Sequence, residues 1–280
     1  MNRERITITL RSDLLNQVDS QIDGERLRNR SHAIEYYLSK TLGNKALKVL
    51  ILAGGKPVYF DSEKATLPKA MVKIAGKPLL ENTLHRLKAA KFSEVYISIG
   101  EGGDIIKNYF KDGSAFNLKI HYIEQKSKNA GNAQPVLQAK EFMQNGNFLL
   151  LYGDVLSDVD FGDFVEYHQA QKSSVCTMAL TGADSVSMWG LAKLQGNKIV
   201  EFEEKPKAPK TFSRLVNAGM YLMGAEIFKY ITASSTKLES DVFPRLAEEG
   251  KLFGYPYDGL WLDISSSAVY KQALKEMHKN

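Results

Sequence analysis

The segment 47–55, LKVLILAGG, is a near-continuous apolar run that breaks off at two glycines. A half-exposed strand would alternate apolar and polar residues. A strand of a parallel sheet, covered by helices on both faces, does not. The stretches after it change period in turn: a helix in 79–92 (LLENTLHRLKAAKF), strands at 94–100 (EVYISIG) and 118–125 (LKIHYIEQ), a helix in 133–143 (AQPVLQAKEFM), a strand at 147–154 (NFLLLYGD). Alternation of this kind predicts an α/β fold with a doubly wound, Rossmann-like sheet. Strand-rich segments follow at 173–180, 189–195, 198–206 and 215–223, with helices expected around 243–250 and 267–277.

With 280 residues and 44% hydrophobic content, the chain can bury one sizeable core or two smaller ones. Its opening, MNRERITITL, has no apolar core of a signal peptide, and no apolar run nears the roughly 20 residues of a membrane span, so a cytoplasmic protein without a membrane partner is expected. The lone Cys176 lies in an apolar strand and reads as an inert core thiol, which excludes a disulfide or a cysteine-bound metal. Net charge is +5, with +1 in residues 1–44 and +4 in the rest, so bulk charge does not mark a nucleic-acid binder.

Residues 1–44 have a different texture. Ile6, Ile8 and Leu10 alternate with Arg5, Thr7 and Thr9, the period of a strand with one buried face. Ser12-Asp13 then starts a helix carrying Leu14, Leu15, Val18 and Ile22, which Asp23-Gly24 ends. Ser31 is expected to cap a second helix carrying Ala33, Ile34, Tyr37, Leu38 and Leu42. One strand and two short helices cannot cover that much apolar surface alone, so a homodimer with paired strands is expected. The segment resembles the ribbon-helix-helix repressors, whose ribbon enters the major groove of double-stranded DNA. That resemblance assigns Arg5, Thr7 and Thr9 to base reading, and Asn29, Arg30 and Ser31 to a backbone phosphate contact. A dimerisation clip with a solvated outer face is the competing reading. The joint to the second domain, 45–280, is placed at Gly43-Asn44-Lys45.

In a doubly wound sheet ligands sit at the carboxyl ends of the strands. Gly54-Gly55, Lys69, Gly153-Asp154 and Asp263 occupy such places. With LAGG, PKAMVKIAGKPLLE, FLLLYGDVLSDVDF, FEEKP, VNAGMYLM and DVFPRLAEEGKLFGYPYDGLWLDI in that order, residues 47–277 resemble the sugar-1-phosphate nucleotidyltransferases, of the mannose-1-phosphate guanylyltransferase and glucose-1-phosphate thymidylyltransferase types. The resemblance implies transfer of a nucleotidyl group from a nucleoside triphosphate to a sugar phosphate, giving a nucleotide sugar, with Mg²⁺ as cofactor. It implies Asp154 and Asp263 as metal ligands and Lys69 as a phosphate-binding catalytic residue. Nucleotide contacts would come from Leu52, Ala53, Gly54, Gly55, Gln125, Ala130 and Gly131, and sugar-phosphate contacts from Glu204, Lys205, Asn217 and Gly219.

Three places depart from that pattern. The family's first loop carries a glycine and a triphosphate-gripping arginine where this chain has Pro57 and Tyr59. Lys128-Asn129 stand in the base-reading turn where Gly-Thr is usual, and SSSAVY follows Asp263 in place of GTPEDY. Lys56 or Lys64 could restore the missing positive charge. Three readings stay open: an active enzyme fused to a DNA-binding segment, a transcriptional regulator whose degenerate enzyme domain senses a nucleotide or nucleotide sugar, and a plain structural or interaction protein.

Overall fold

The computed structural model describes residues 5–24, 27–42, 47–59, 66–126, 131–207 and 213–277. The chain divides into two compact units, Met1–Gly43 and Asn44–Asn280. The residues 43–46, which include the expected joint, lie outside the described ones.

The first unit contains helices α1 (Ser12–Asp19) and α2 (Arg30–Leu42). Ile22, expected on the first helix, lies beyond its end. The cap of α2 is Asn29 rather than Ser31: its Oδ1 accepts the His32 N–H at 2.9 Å, which satisfies one donor of the first turn. Arg30 is not free to meet a phosphate here, because its guanidinium binds both carboxylate oxygens of Asp19 at 2.7 Å. Leu27 and Ala33 are buried, while Ile6 and Ile8 are 70% and 48% exposed. The expected strand at 5–10 is not formed. A lone strand has no ladder to join, and among the described residues of this unit none supplies the second.

The second unit runs β1 (Lys48–Ala53), the hairpin β2 (Lys73–Ile74) and β3 (Lys77–Pro78), α3 (Leu79–Ala89), β4 (Glu94–Ile99), α4 (Gly103–Phe110), β5 (Lys119–Glu124), α5 (Ala133–Gln138), α6 (Lys140–Met143), β6 (Phe148–Tyr152), β7 (Val155–Ser157) and α7 (Phe161–Ala170). It continues with β8 (Cys176–Gly182), β9 (Gly190–Gln195), β10 (Lys198–Glu204), β11 (Leu215–Met223), α8 (Leu238–Asp241), α9 (Phe243–Glu248), β12 (Leu252–Pro256), β13 (Trp261–Asp263) and α10 (Ser267–Met277). Nine strands form one sheet in the order β5-β4-β1-β6-β11-β8-β12-β10-β9. The first four are parallel, as the apolar run of β1 requires; from β11 onward the sheet is mixed, with β12 parallel only to β8.

Burial explains the run. Val49 and Ile51 of β1 enter a core with Leu80, Leu84 and Leu87 of α3, while Leu50 enters another with Val136 of α5 and Phe148 of β6. Both faces of β1 are therefore dry from Val49 to Ile51, which excludes polar residues from that stretch. A third, smaller cluster packs Leu156 of β7 and Leu262 of β13 against Ile74, Leu79 and Tyr270. Cys176 is fully buried and burial pushes its thiol up, as an inert core residue requires. Among the described residues no helix is long and apolar enough to cross a membrane.

His168 of α7 is buried with its Nδ1 2.7 Å from the Thr177 hydroxyl, and burial lowers its pKa from 6.5 to about 4. Below its ordinary pKa the unfolded chain takes up a proton that the folded chain refuses, so stability is lost as pH falls from about 6.5 to about 4. The loss approaches roughly 3 kcal/mol. Thermal melts across that window should show a drop that His168→Gln flattens; an unchanged pH slope in the variant would contradict it.

Candidate active site

From β1 the chain builds β4 and β5 on one side and then crosses to β6 on the other, so a crevice opens beyond the carboxyl ends of β1 and β6. Leu52 and Ala53 end β1, and the Gly153 N–H donates to the Leu52 carbonyl at 2.9 Å, which seats the two strand ends side by side. Gly54 lies beneath the Gln125 side chain: a Cβ there would stand 2.1 Å from Gln125 Nε2. Glycine at this point lets the carboxamide rest on the backbone. Two clefts, of about 340 and 270 Å³, meet at Gly54, Gly55, Lys56 and Gln125. The larger is also lined by Gly100–Asp104 and Glu124, the smaller by Leu52, Gly131, Asn132, Tyr152 and Asp154.

The charged centre is fixed by backbone. Lys69 opens a single 3-10 turn after Pro68, and its Nζ lies 2.9 Å from Asp154 Oδ2. Asp154 follows β6; its carbonyl accepts the Ile264 N–H at 2.8 Å, and its neighbour Val155 pairs with Asp263 across the β7–β13 ribbon. The two carboxylates thus stand on adjoining rungs. Burial raises the Asp263 carboxyl to about 7, with the Asp154 charge adding to the rise and Lys69 and Lys205 opposing it. Burial works against the Lys69 charge, but Asp154, with Asp263 behind it, holds its pKa above the ordinary value.

Asp263 Oδ1 is buried without a hydrogen-bond partner. An orphaned carboxylate oxygen beside a second carboxylate suits a hard divalent cation that keeps several oxygens from water or phosphate. Among the described residues no group of three or more His, Cys, Asp and Glu side chains could hold a metal by itself, so any such ion needs oxygens from elsewhere.

Around this centre lie the other expected residues. Glu204 ends β10; burial, then the Glu239 charge, raises its pKa. Lys205 has φ +47° with its N–H on the Trp189 carbonyl at 3.0 Å, a left-handed backbone that a lysine rarely adopts. Asn217 and Gly219 sit at a register break in β11, where Gly219 has φ +72°. The Asn217 amide is not directed at a ligand: its Nδ2 donates to the Tyr221 hydroxyl at 2.7 Å and its Oδ1 accepts the Gly219 N–H at 3.0 Å. Trp261 donates to the Ala218 carbonyl at 3.0 Å and so ties the bulge to the ribbon carrying Asp263.

Asn132 and Tyr152 also line the smaller cleft, with Glu239 behind them. Asn132 Nδ2 lies 2.9 and 2.8 Å from the two oxygens of buried Glu239, and the Tyr152 hydroxyl donates to the same carboxylate at 2.6 Å. These bonds hold Asn132 and Tyr152 as one wall of the smaller cleft. Tyr152 was findable, directly before Gly153-Asp154, but Glu239 is remote in sequence and joins only through the fold. Ala130, with Lys128 and Asn129, lies outside the described residues, as does Lys64. Tyr59 is 60% exposed, and Val58 and Leu67 exchange N–H···O bonds of 2.8 and 2.9 Å that close the base of its loop.

Residues 48–280 match the nucleotidyl transferase family model. The chain is 33% identical over 224 residues to the bifunctional protein GlmU of Methanococcus maripaludis, covering 78% of this chain and 51% of that protein. It is 29% identical over 223 residues to the mannose-1-phosphate guanylyltransferase catalytic subunit beta of Danio rerio, covering 78% of this chain and 61% of the other. The chain thus spans about half to two thirds of the length of the curated relatives it matches. Among solved structures, HddC of Yersinia pseudotuberculosis complexed with GMP-PN matches with a TM-score of 0.69 at 21% identity, over 82% of this chain and 99% of that one, a likeness of fold. With its strand order, its carboxylate pair and this match, the chain belongs to the nucleotidyl transferase family over residues 48–280.

Proposed function

We propose that residues 45–280 transfer a nucleotidyl group from a nucleoside triphosphate to a sugar 1-phosphate, with Mg²⁺ as cofactor. The observation that carries this is the Asp154–Asp263 pair, with Lys69 against it, at the crevice beyond β1 and β6. The curated relatives, named as sugar-phosphate guanylyl- and uridylyltransferases, favour the same reaction class. A sugar-phosphate oxygen attacks the α-phosphorus, a P–O bond forms, and the bond from that phosphorus to the bridging oxygen breaks, so that pyrophosphate leaves. The attacking oxygen is already anionic and needs no strong base; positioning and charge neutralisation carry the rate.

Asp154 and Asp263 would hold the ion, and its chemistry is to neutralise charge on the phosphate oxygens. Lys69 would hold a phosphate beside Asp154. Gly54-Gly55 would let the nucleotide approach the backbone, with Leu52, Ala53, Gln125, Ala130 and Gly131 around it. Glu204, Lys205 and Gly219 would meet the acceptor, and Asn217 would act by holding the bulge rather than by direct contact. Pyrophosphate release from triphosphate and sugar 1-phosphate panels tests the reading.

Residues 1–44 we read as a ribbon-helix-helix segment that makes a cytoplasmic homodimer and binds double-stranded DNA through Arg5, Thr7, Thr9, Asn29 and Ser31. Exposed Ile6, Ile8, Leu14 and Leu38 support it, since a two-fold partner would cover such side chains. Arg30 would take part only by leaving Asp19. The full chain should sediment as a dimer and a 45–280 fragment as a monomer. Arg5→Ala should weaken the preferred inverted-repeat site by about 1–3 kcal/mol in a mobility-shift titration. Equal oligomeric states, or equal loss on random DNA, would contradict these expectations. The exposed Tyr59, with no arginine in its loop, keeps the sensor reading as the second candidate; it requires nucleotide binding without turnover.

A further inference from the structure

We propose that Lys56 clamps the outer phosphates of a nucleoside triphosphate in this chain, an inference that rests on nucleotide binding at the β1–β6 crevice. Among the described residues Lys56 and Asp154 are the two charged ones lining the smaller cleft, and Asp154 is already paired with Lys69. Among the described residues Lys56 has no hydrogen-bond or ion-pair partner. It therefore brings an uncompensated positive charge to a cleft whose other described walls are neutral, directly after the Gly54-Gly55 backbone.

The direction of the phosphate chain follows from charge. The larger cleft carries Glu101 and Asp104 in its lining besides Glu124, the last of which Lys107 neutralises. A polyphosphate running that way would meet the Glu101 and Asp104 carboxylates, whereas in the smaller cleft, which Lys56 also lines, the carboxylate is Asp154 and Lys69 is bonded to it. Lys56 also stands where the chain is held: two residues on, Val58 is bonded to Leu67 on both sides of its peptide, so the loop base keeps the lysine at the mouth of the clefts. Tyr59, beyond the bridge, is mostly solvent-exposed and brings no charge.

The test is calorimetric titration of the full chain, with Mg²⁺ present, by GTP, UTP and dTTP and by the matching monophosphates. For whichever base binds, Lys56→Ala should weaken the triphosphate by about tenfold to hundredfold, the effect of one charged hydrogen bond. The monophosphate should change by less than about twofold, and Lys56→Arg should restore most of the triphosphate affinity. Equal loss for both ligands, or none for either, overturns the assignment while leaving the nucleotide site standing. If no mono- or triphosphate binds the unmodified chain, the nucleotide reading itself falls and Lys56 falls with it.

Discussion

Asp154→Asn is expected to lower pyrophosphate release by on the order of a thousandfold. The substitution keeps the size of the side chain and the Asp154 carbonyl bond to Ile264, so the β7–β13 ribbon stays in place. What it removes is one of two carboxylates that would hold a divalent ion, and charge stabilisation of a developing phosphoryl transition state is worth several kcal/mol, or about three factors of ten. Two side effects follow from the same electrostatics. Lys69 loses its ion pair, and the Asp263 carboxyl, raised in part by the Asp154 charge, should titrate at lower pH. A variant that melts like the unmodified chain and still turns over within tenfold of it would remove Asp154 from the reaction.

Gly131→Ala is expected to be the most damaging single-methyl change to the second unit. Gly131 has φ +65°, and an added Cβ would lie 2.0 Å from the Thr236 backbone oxygen, which also accepts the Ala133 N–H at 3.1 Å. Backbone cannot swing aside as a side chain can. The left-handed conformation costs a non-glycine about 1–2 kcal/mol, and the shift forced on the 236 segment about 1–3 more. A total near 3 kcal/mol corresponds to a fall of roughly 6–12 °C in melting temperature for a domain of this size. Because Gly131 lines the smaller cleft beside Asn132, nucleotide affinity should fall too. A melting temperature within about 2 °C of the parent's would contradict the packing described at this turn.

What could be read in the sequence was whatever burial writes into residue type. The unbroken LKVLILA run had to be a strand dry on both faces, and Val49, Leu50 and Ile51 are fully buried on alternate sides. Lys69, Asp154 and Asp263 were legible as polar residues just past apolar runs, and the fold brings them together. Residues acting through distant contacts were not legible. Glu239 sits in a four-residue helix with no motif of its own and reaches Asn132 and Tyr152 only after the sheet has formed. The β7–β13 ribbon has three residues a strand, too short for any period to show. At the N-terminus the alternation of 5–10 was legible, but alternation alone does not make a strand without a neighbour to bond to. Ser31 is not the cap for a local reason: Asn29 precedes the helix by one residue and its side chain accepts the His32 N–H.

Transfer chemistry at the Lys69–Asp154–Asp263 centre is tested most directly by pyrophosphate release from the full chain. Each of four nucleoside triphosphates would be incubated with Mg²⁺ and mannose, glucose or N-acetylglucosamine 1-phosphate. Release is expected with at least one pair, dependent on both substrates and on Mg²⁺, and lost in Asp154→Asn. Nucleotide binding in a calorimeter with no pyrophosphate from any pair would contradict it, and would leave the domain a ligand sensor.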